Sequence, residues 1–240
     1  MKKQRTATAA KRLRKMHNLL MAAYGPQFWW PAEAPFEVIL GAYLTQNTSW
    51  KAVERSLANL RAAGALTIEG LRTLPMDELL RAIQPSGFFT RKAPALKAFV
   101  AMLDKEYAGS LSHMAAASTA ELRKQLLALP GVGQETADAI LLYALHHAVP
   151  VADEYLRRIV DRHQLVPLPS GSRRYQELSE LTRQAFVGDP SIDRANLFNE
   201  FHALTVAVGK AHCGRTPDCD GCPLAGDLNL TKRRAFGPTL

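Results

Sequence analysis

Cysteine is scarce. The 240 residues hold three, Cys213, Cys219 and Cys222, all inside one ten-residue stretch. Thiols crowded in that way cannot staple a fold, so a disulfide framework is excluded and a reducing, cytoplasmic compartment is expected. Long apolar runs are missing as well. No stretch approaches the ~18 consecutive apolar residues that a spanning helix needs, so no membrane segment is expected. The first fifteen residues carry Lys and Arg but no apolar block, and do not read as a secretory leader. Acidic side chains are in deficit, 22 against 30 Lys and Arg, which leaves a net charge of +8. Such a balance favours a polyanionic partner. Convincing period-two alternation is absent, as are internal repeats and low-complexity tracts, so the class is all-α. An apolar content of 47% supports an ordinary core, and the length fits one large domain or two interlocked lobes.

The most informative stretch runs from Leu127 to Asp153. Ser118 and Glu121 form a capping box that opens a helix, with leucines at 122, 126, 127 and 129. Gly131, Val132 and Gly133 then make a tight turn. Ala137, Ile140, Leu141, Ala144, Leu145 and Ala148 repeat with helical spacing beyond it. A helix–Gly-x-Gly–helix hairpin presents backbone N–H groups at the start of its second helix, where the dipole favours a phosphate and no base is read. Asp153 lies 20 residues past Gly133 and beyond Pro150, where that helix should have ended.

The N-terminal cations Lys2, Lys3, Arg5, Lys11, Arg12, Arg14 and Lys15 suit either a frayed, solvated terminus or an arm on phosphate, with a helix ending at Tyr24 before Gly25-Pro26. Phe28-Trp29-Trp30-Pro31 reads as a loop; one indole packs inward and the other can face a ligand. The segment 36–44 is apolar nearly all round and reads as a buried helix. Trp50 opens the next helix, either as core or reaching a cleft from its first turn. Residues 67–84 hold two short helical patterns split by Pro75. In 86–93, Gly87 permits a turn, Phe88 and Phe89 follow, and then Arg91 and Lys92: an apolar wedge beside phosphate contacts, or a core aromatic pair. Helices are expected from about 94 to 107, over 155–163 and 172–187, and over 194–208 with Gly209 as the stop.

Leu129-Pro-Gly-Val-Gly133, Thr136-Ala137, the apolar helix and Val151-x-Asp153 resemble the helix-hairpin-helix DNA glycosylases of the endonuclease III superfamily. The finer similarity is to their 3-methyladenine branch. It is carried by Trp29-Trp-Pro31, Phe36-Glu37, Leu44-Thr-Gln-Asn-Thr48, Trp50 and Gly133-x-Glu135-x-Ala-Asp-Ala-Ile140. The resemblance implies a two-lobed all-α fold with its active-site cleft between lobes: 27–145 as the central lobe, 1–26 with 146–225 as the second, and 226–240 as a basic tail. It implies Asp153 as the catalytic acid, with Trp29, Trp30, Pro31 and Trp50 around the base. Gln46 would stand near the vacated stack, Phe88 would be the wedge, Arg91 and Lys92 would flank it, and Gly131, Val132, Gly133 and Thr136 would meet phosphate. Bifunctional relatives carry a nucleophilic lysine where this chain has Glu135. A carboxylate cannot form an imine, so lyase chemistry is not expected. Glu135 lines the pocket mouth or is a solvated acid at a helix start.

The expected activity is therefore a monofunctional, water-using glycosylase for alkylated purines. The partner would be double-stranded DNA at the bacterial nucleoid, and the enzyme a monomer. A glycosylase for oxidised pyrimidines or mismatched adenine, or a non-catalytic damage binder, are the alternatives. The cysteines are spaced C-x5-C-x2-C with Leu228 where the superfamily's iron–sulfur loop has its fourth ligand. A degenerate loop without a cluster is expected; a [4Fe–4S] cluster completed by His212, or zinc on Cys213, Cys219, Cys222 and His212, are the other readings.

Overall fold

The computed structural model describes residues 2–29, 34–188 and 193–228. Among the described residues there are helices and turns but no strand, and no helix is long and apolar enough to cross a membrane. The chain divides into two compact units: Met1–Trp29 with Ala148–Leu240, and Trp30–His147.

The continuous unit is built on α2 (Pro35–Leu44), where every residue after Pro35 is buried. Around it lie α3 (Trp50–Ala62), α4 (Ile68–Thr73), α5 (Met76–Ile83), α6 (Phe89–Tyr107), α7 (Leu111–Ala115), α8 (Thr119–Ala128) and α9 (Gln134–Ala139). Ser118 caps α8 as its sequence requires, its Oγ accepting from the Glu121 N–H at 3.3 Å. The second hairpin helix is not one regular helix. After α9 the chain widens into a π-helical turn, Ile140–Ala144, whose apolar side packs against α2. Gly131 supplies the left-handed φ of +74° between α8 and α9.

A salt bridge fixes the angle of that hairpin. Arg123 on α8 grips Asp138 on α9 through Nε–Oδ1 at 2.7 Å and Nη2–Oδ2 at 3.1 Å, and Asp138 is fully buried. Two parallel bonds to a planar fork set direction as well as distance.

α6 begins earlier than its pattern suggests. The Arg91 and Lys92 N–H groups both bond to the Phe88 carbonyl, so the helix opens at Phe89 and carries Pro94 inside it. Tandem residues on a helix point ~100° apart, which settles the fate of Arg91 and Lys92.

In the split unit, α1 (Lys2–Tyr24) is one helix rather than a frayed end. The cations concealed an apolar stripe, Ala9, Leu13, Met16 and Leu20, that is buried against α11 (Arg173–Ala185) and α12 (Arg194–Ala211). Arg12 and Arg14 are spent on internal acceptors: Asp227 and the His163 carbonyl for one, the Ala185 and Val187 carbonyls for the other. α10 (Glu154–Arg162) packs on α12. Gly209 does not stop α12, which runs to Ala211. A Cβ there would lie 2.1 Å from the Tyr155 ring, so the missing side chain lets the two helices close.

Removing one partner from a buried ion pair costs about 3–5 kcal/mol. Asp138→Ala should therefore lower unfolding free energy by about that amount in a denaturant titration, while Lys105→Ala, at an exposed pair, should leave the midpoint close to that of the parent.

Candidate functional site

In the split unit the extended segment 149–152 is buried and delivers Asp153 to the start of α10. Asp153 is the N-cap: its Oδ1 accepts from the Leu156 N–H at 2.8 Å. Only 8% of the residue is exposed, and Oδ2 lies 3.4 Å from His202 Nε2 on α12. One carboxylate oxygen is thus used for the helix and the other faces an imidazole. The Trp29 indole rests on that imidazole, with centroids 5.4 Å apart and planes tilted by 41°. Two residues earlier on α12, Glu200 accepts from the backbone N–H of Gln27 and of Phe28, both at 2.8 Å, and so anchors the segment that carries Trp29. Asp153, His202 and half-buried Trp29 form one cluster. Trp30 and Pro31 lie outside the described residues.

Glu200 and His202 were not singled out from the sequence. The signal was present, since both carry ionisable side chains in a mainly apolar run from Leu197 to Val208. A carboxylate and an imidazole inside such a run need partners, because burying a polar group without them is costly.

In the continuous unit, Gln46 turns onto the hairpin. Its Nε2 donates to the Gly131 carbonyl at 3.0 Å and to Thr136 Oγ1 at 2.9 Å. Thr136 and Val132 are buried; Gly131, Gly133 and Glu135 are exposed. Gly133 has φ −90°, and a Cβ there would meet nothing within 4 Å. Neither backbone nor internal packing calls for a glycine at that position. Trp50 is half-buried at the start of α3.

Phe88 is 59% exposed and sits at φ +49°, the left-handed region that a large side chain rarely adopts. Arg91 is exposed beside it. Lys92 is a correction: it makes no surface for phosphate. It is 4% exposed and its ammonium donates to the Leu44 carbonyl, Thr48 Oγ1 and the Ser86 carbonyl at 2.8, 2.9 and 2.8 Å. Burial pulls its pKa down to about 8, so the proton stays on at neutral pH.

The cysteine loop follows α12. Arg162 Nη1 donates to Cys213 Sγ at 3.0 Å, and Leu228 is buried at the fourth position. The three cysteines, His212 and Leu228 share a hollow of about 20 Å³. That is room for a water molecule, not for four irons and four sulfides. Burial pushes the Cys219 and Cys222 thiols up. Among the described residues no three His, Cys, Asp or Glu side chains are grouped to hold a metal ion. These residues do not fit a [4Fe–4S] cluster.

Comparison with known proteins agrees with this architecture. A putative DNA repair glycosylase of Methanocaldococcus jannaschii is 38% identical over 212 residues, which is 88% of this chain and 92% of that protein. An endonuclease III of Sulfolobus acidocaldarius is 26% identical over 78% of each chain. The crystal structure of H. pylori 3-methyladenine DNA glycosylase (MagIII) bound to 1,N6-ethenoadenine superposes with a TM-score of 0.70 at 27% identity, covering 85% of this chain and 97% of that one. An endonuclease III trapped on DNA shares the fold, with a TM-score of 0.74 at 20% identity over 94% and 98% of the two chains. The family model of the HhH-GPD superfamily base excision DNA repair proteins matches residues 40–184. With most of its length under that model, and with the hairpin and Asp153 inside the match, the chain belongs to the HhH-GPD superfamily of base excision DNA repair glycosylases.

Proposed function

We propose that the protein is a monofunctional DNA glycosylase that removes alkylated purines such as 3-methyladenine, with Asp153 as the catalytic carboxylate. The observation that carries this reading is the setting of Asp153: buried, fixed by accepting from the Leu156 N–H and grouped with the Trp29 indole.

Loss of a cationic base leaves an oxocarbenium-like sugar. A fixed carboxylate stabilises that charge and orients the water that attacks C1′. An alkylated purine already carries its positive charge, so the leaving group needs little acid catalysis and the chemistry falls to recognition. An indole face such as that of Trp29 favours a cation over a neutral base by about 0.5–2 kcal/mol. Extrusion of the nucleotide costs a few kcal/mol, and less when the base is damaged. Stacking returns roughly 1–3 kcal/mol for each aromatic used. Phe88, Arg91 and the Gly131–Gly133 turn make the proposed duplex contacts. The open space over Gly133 supports close backbone approach by a phosphate. The likeness to a 3-methyladenine glycosylase supports the substrate class. Exposed Glu135 stands where a lyase would need an amine, which supports hydrolysis rather than an imine.

We also infer that the cysteine loop folds around Arg162 and Leu228 without a cluster, on the strength of its 20 Å³ interior.

Three outcomes follow. Asp153→Asn keeps the helix cap, since Asn caps as well as Asp. It should leave thermal stability close to that of the parent while cutting release of 3-methyladenine from methylated DNA by about 10²–10³-fold. Undiminished release would remove Asp153 from the chemistry. Borohydride added during turnover should trap no protein–DNA adduct, and a trapped adduct would mean that an amine attacks. Iron analysis of protein purified under reducing, oxygen-free conditions should find no stoichiometric iron, with stoichiometric iron overturning the metal-free loop.

A further inference from the structure

Lys92 has no part in the chemistry just described, yet its placement is costly. Moving an ammonium out of water costs several kcal/mol unless good acceptors replace the solvent. An unbranched apolar side chain would fill the same space without that penalty. The three acceptors explain the choice. Leu44 O is the last carbonyl of α2, Thr48 Oγ1 belongs to the loop 45–49, and Ser86 O belongs to the turn before Phe88. An ammonium has three protons and no acceptor, so three converging acceptors saturate it.

These bonds belong to a longer path. Thr48 Oγ1 also lies within hydrogen-bond reach of the Gln46 and Ser86 carbonyls. Gln46 in turn donates to Gly131 O and to Thr136 Oγ1 of the hairpin. The path runs from the turn that carries Phe88, through Lys92 and Thr48, to Gln46 and the hairpin. All of it lies inside the continuous unit. Phe88 holds an unfavourable φ while more than half exposed, so its position must be enforced from within.

We propose that Lys92 is a positioning residue: it locks the Phe88 turn and the Gln46 loop to the hairpin, so that phosphate grip and aromatic insertion act on the duplex as one rigid body. The proposal rests on the reading that this unit engages duplex DNA through the hairpin and Phe88.

The test compares the parent with Lys92→Met, which keeps volume and removes the donors, and with Thr48→Val, a milder cut of the same path. Hydrogen exchange on the free protein is read first. Both variants should speed exchange together at residues 46–49, 86–89 and 131–136, by about tenfold, within the usual range of coupling between connected residues. Acceleration confined to 46–49 and 86–89 would mean local packing only and would overturn the coupling. Excision is then measured on two duplexes, one with the lesion paired and one with it opposite an abasic site, where little wedging is needed. The Lys92→Met variant should lose about tenfold on the paired substrate and little on the other; equal losses would overturn the proposal. The slope of binding to undamaged duplex against salt should stay unchanged. A fall of about one unit would make Lys92 a direct phosphate contact instead and also overturn it. If the parent excises neither substrate, the glycosylase reading fails while the exchange arm still decides the coupling.

Discussion

One fully buried carboxylate, Asp138, governs the geometry of the hairpin. It sits among Ala137, Ala139 and Ile140, where a charge survives only because the Arg123 fork reaches it from the preceding helix. That pair sets how α8 meets α9, and therefore where the turn at Gly131–Gly133 stands. Gln46 is tied to the same turn, and Lys92 ties the loop of Gln46 to the turn of Phe88. A set of irregular segments, none of which would hold its shape alone, is thereby fixed by charge-assisted bonds to neighbouring helices. The π-helical turn that follows α9 is held differently, by apolar burial against α2.

The split unit uses a different device for the same purpose. Asp153 is placed by the end of a buried extended segment and by the first turn of α10, so its position is set by backbone rather than by a long side chain. A short side chain anchored at a helix start has little rotamer freedom to lose. α12 supplies the surroundings, with His202 against the carboxylate and Glu200 holding the strand of chain that carries Trp29. The close contact of α10 with α12 depends in turn on Gly209, which leaves room for Tyr155. The Asp153 carboxylate, the indole and the imidazole are thus positioned by the packing of these two helices.

The cysteine loop is tied to its surroundings by ordinary side chains. A guanidinium, that of Arg162, rests on the Cys213 sulfur, Leu228 is buried, and Arg12 and His163 both bind Asp227.

Local pattern alone was enough for the all-α class, the buried helix at 36–44 and the capped helix before the hairpin, because each rests on periodicity or capping chemistry along one stretch of chain. It was not enough for Lys92, which looked like a surface cation beside Arg91. Adjacent helical residues face ~100° apart, and only the path of α2 and the 84–88 turn decided which of the two went inside. The seven cations of α1 likewise hid an apolar stripe, and Gly209 passed for a helix stop when it is a contact with Tyr155. The pairs Arg123–Asp138 and His202–Asp153 join residues separated by a turn or by tens of positions. The sequence announced polar groups in apolar runs, but which partner satisfies each is a property of helices brought together, and no spacing along the chain encodes it.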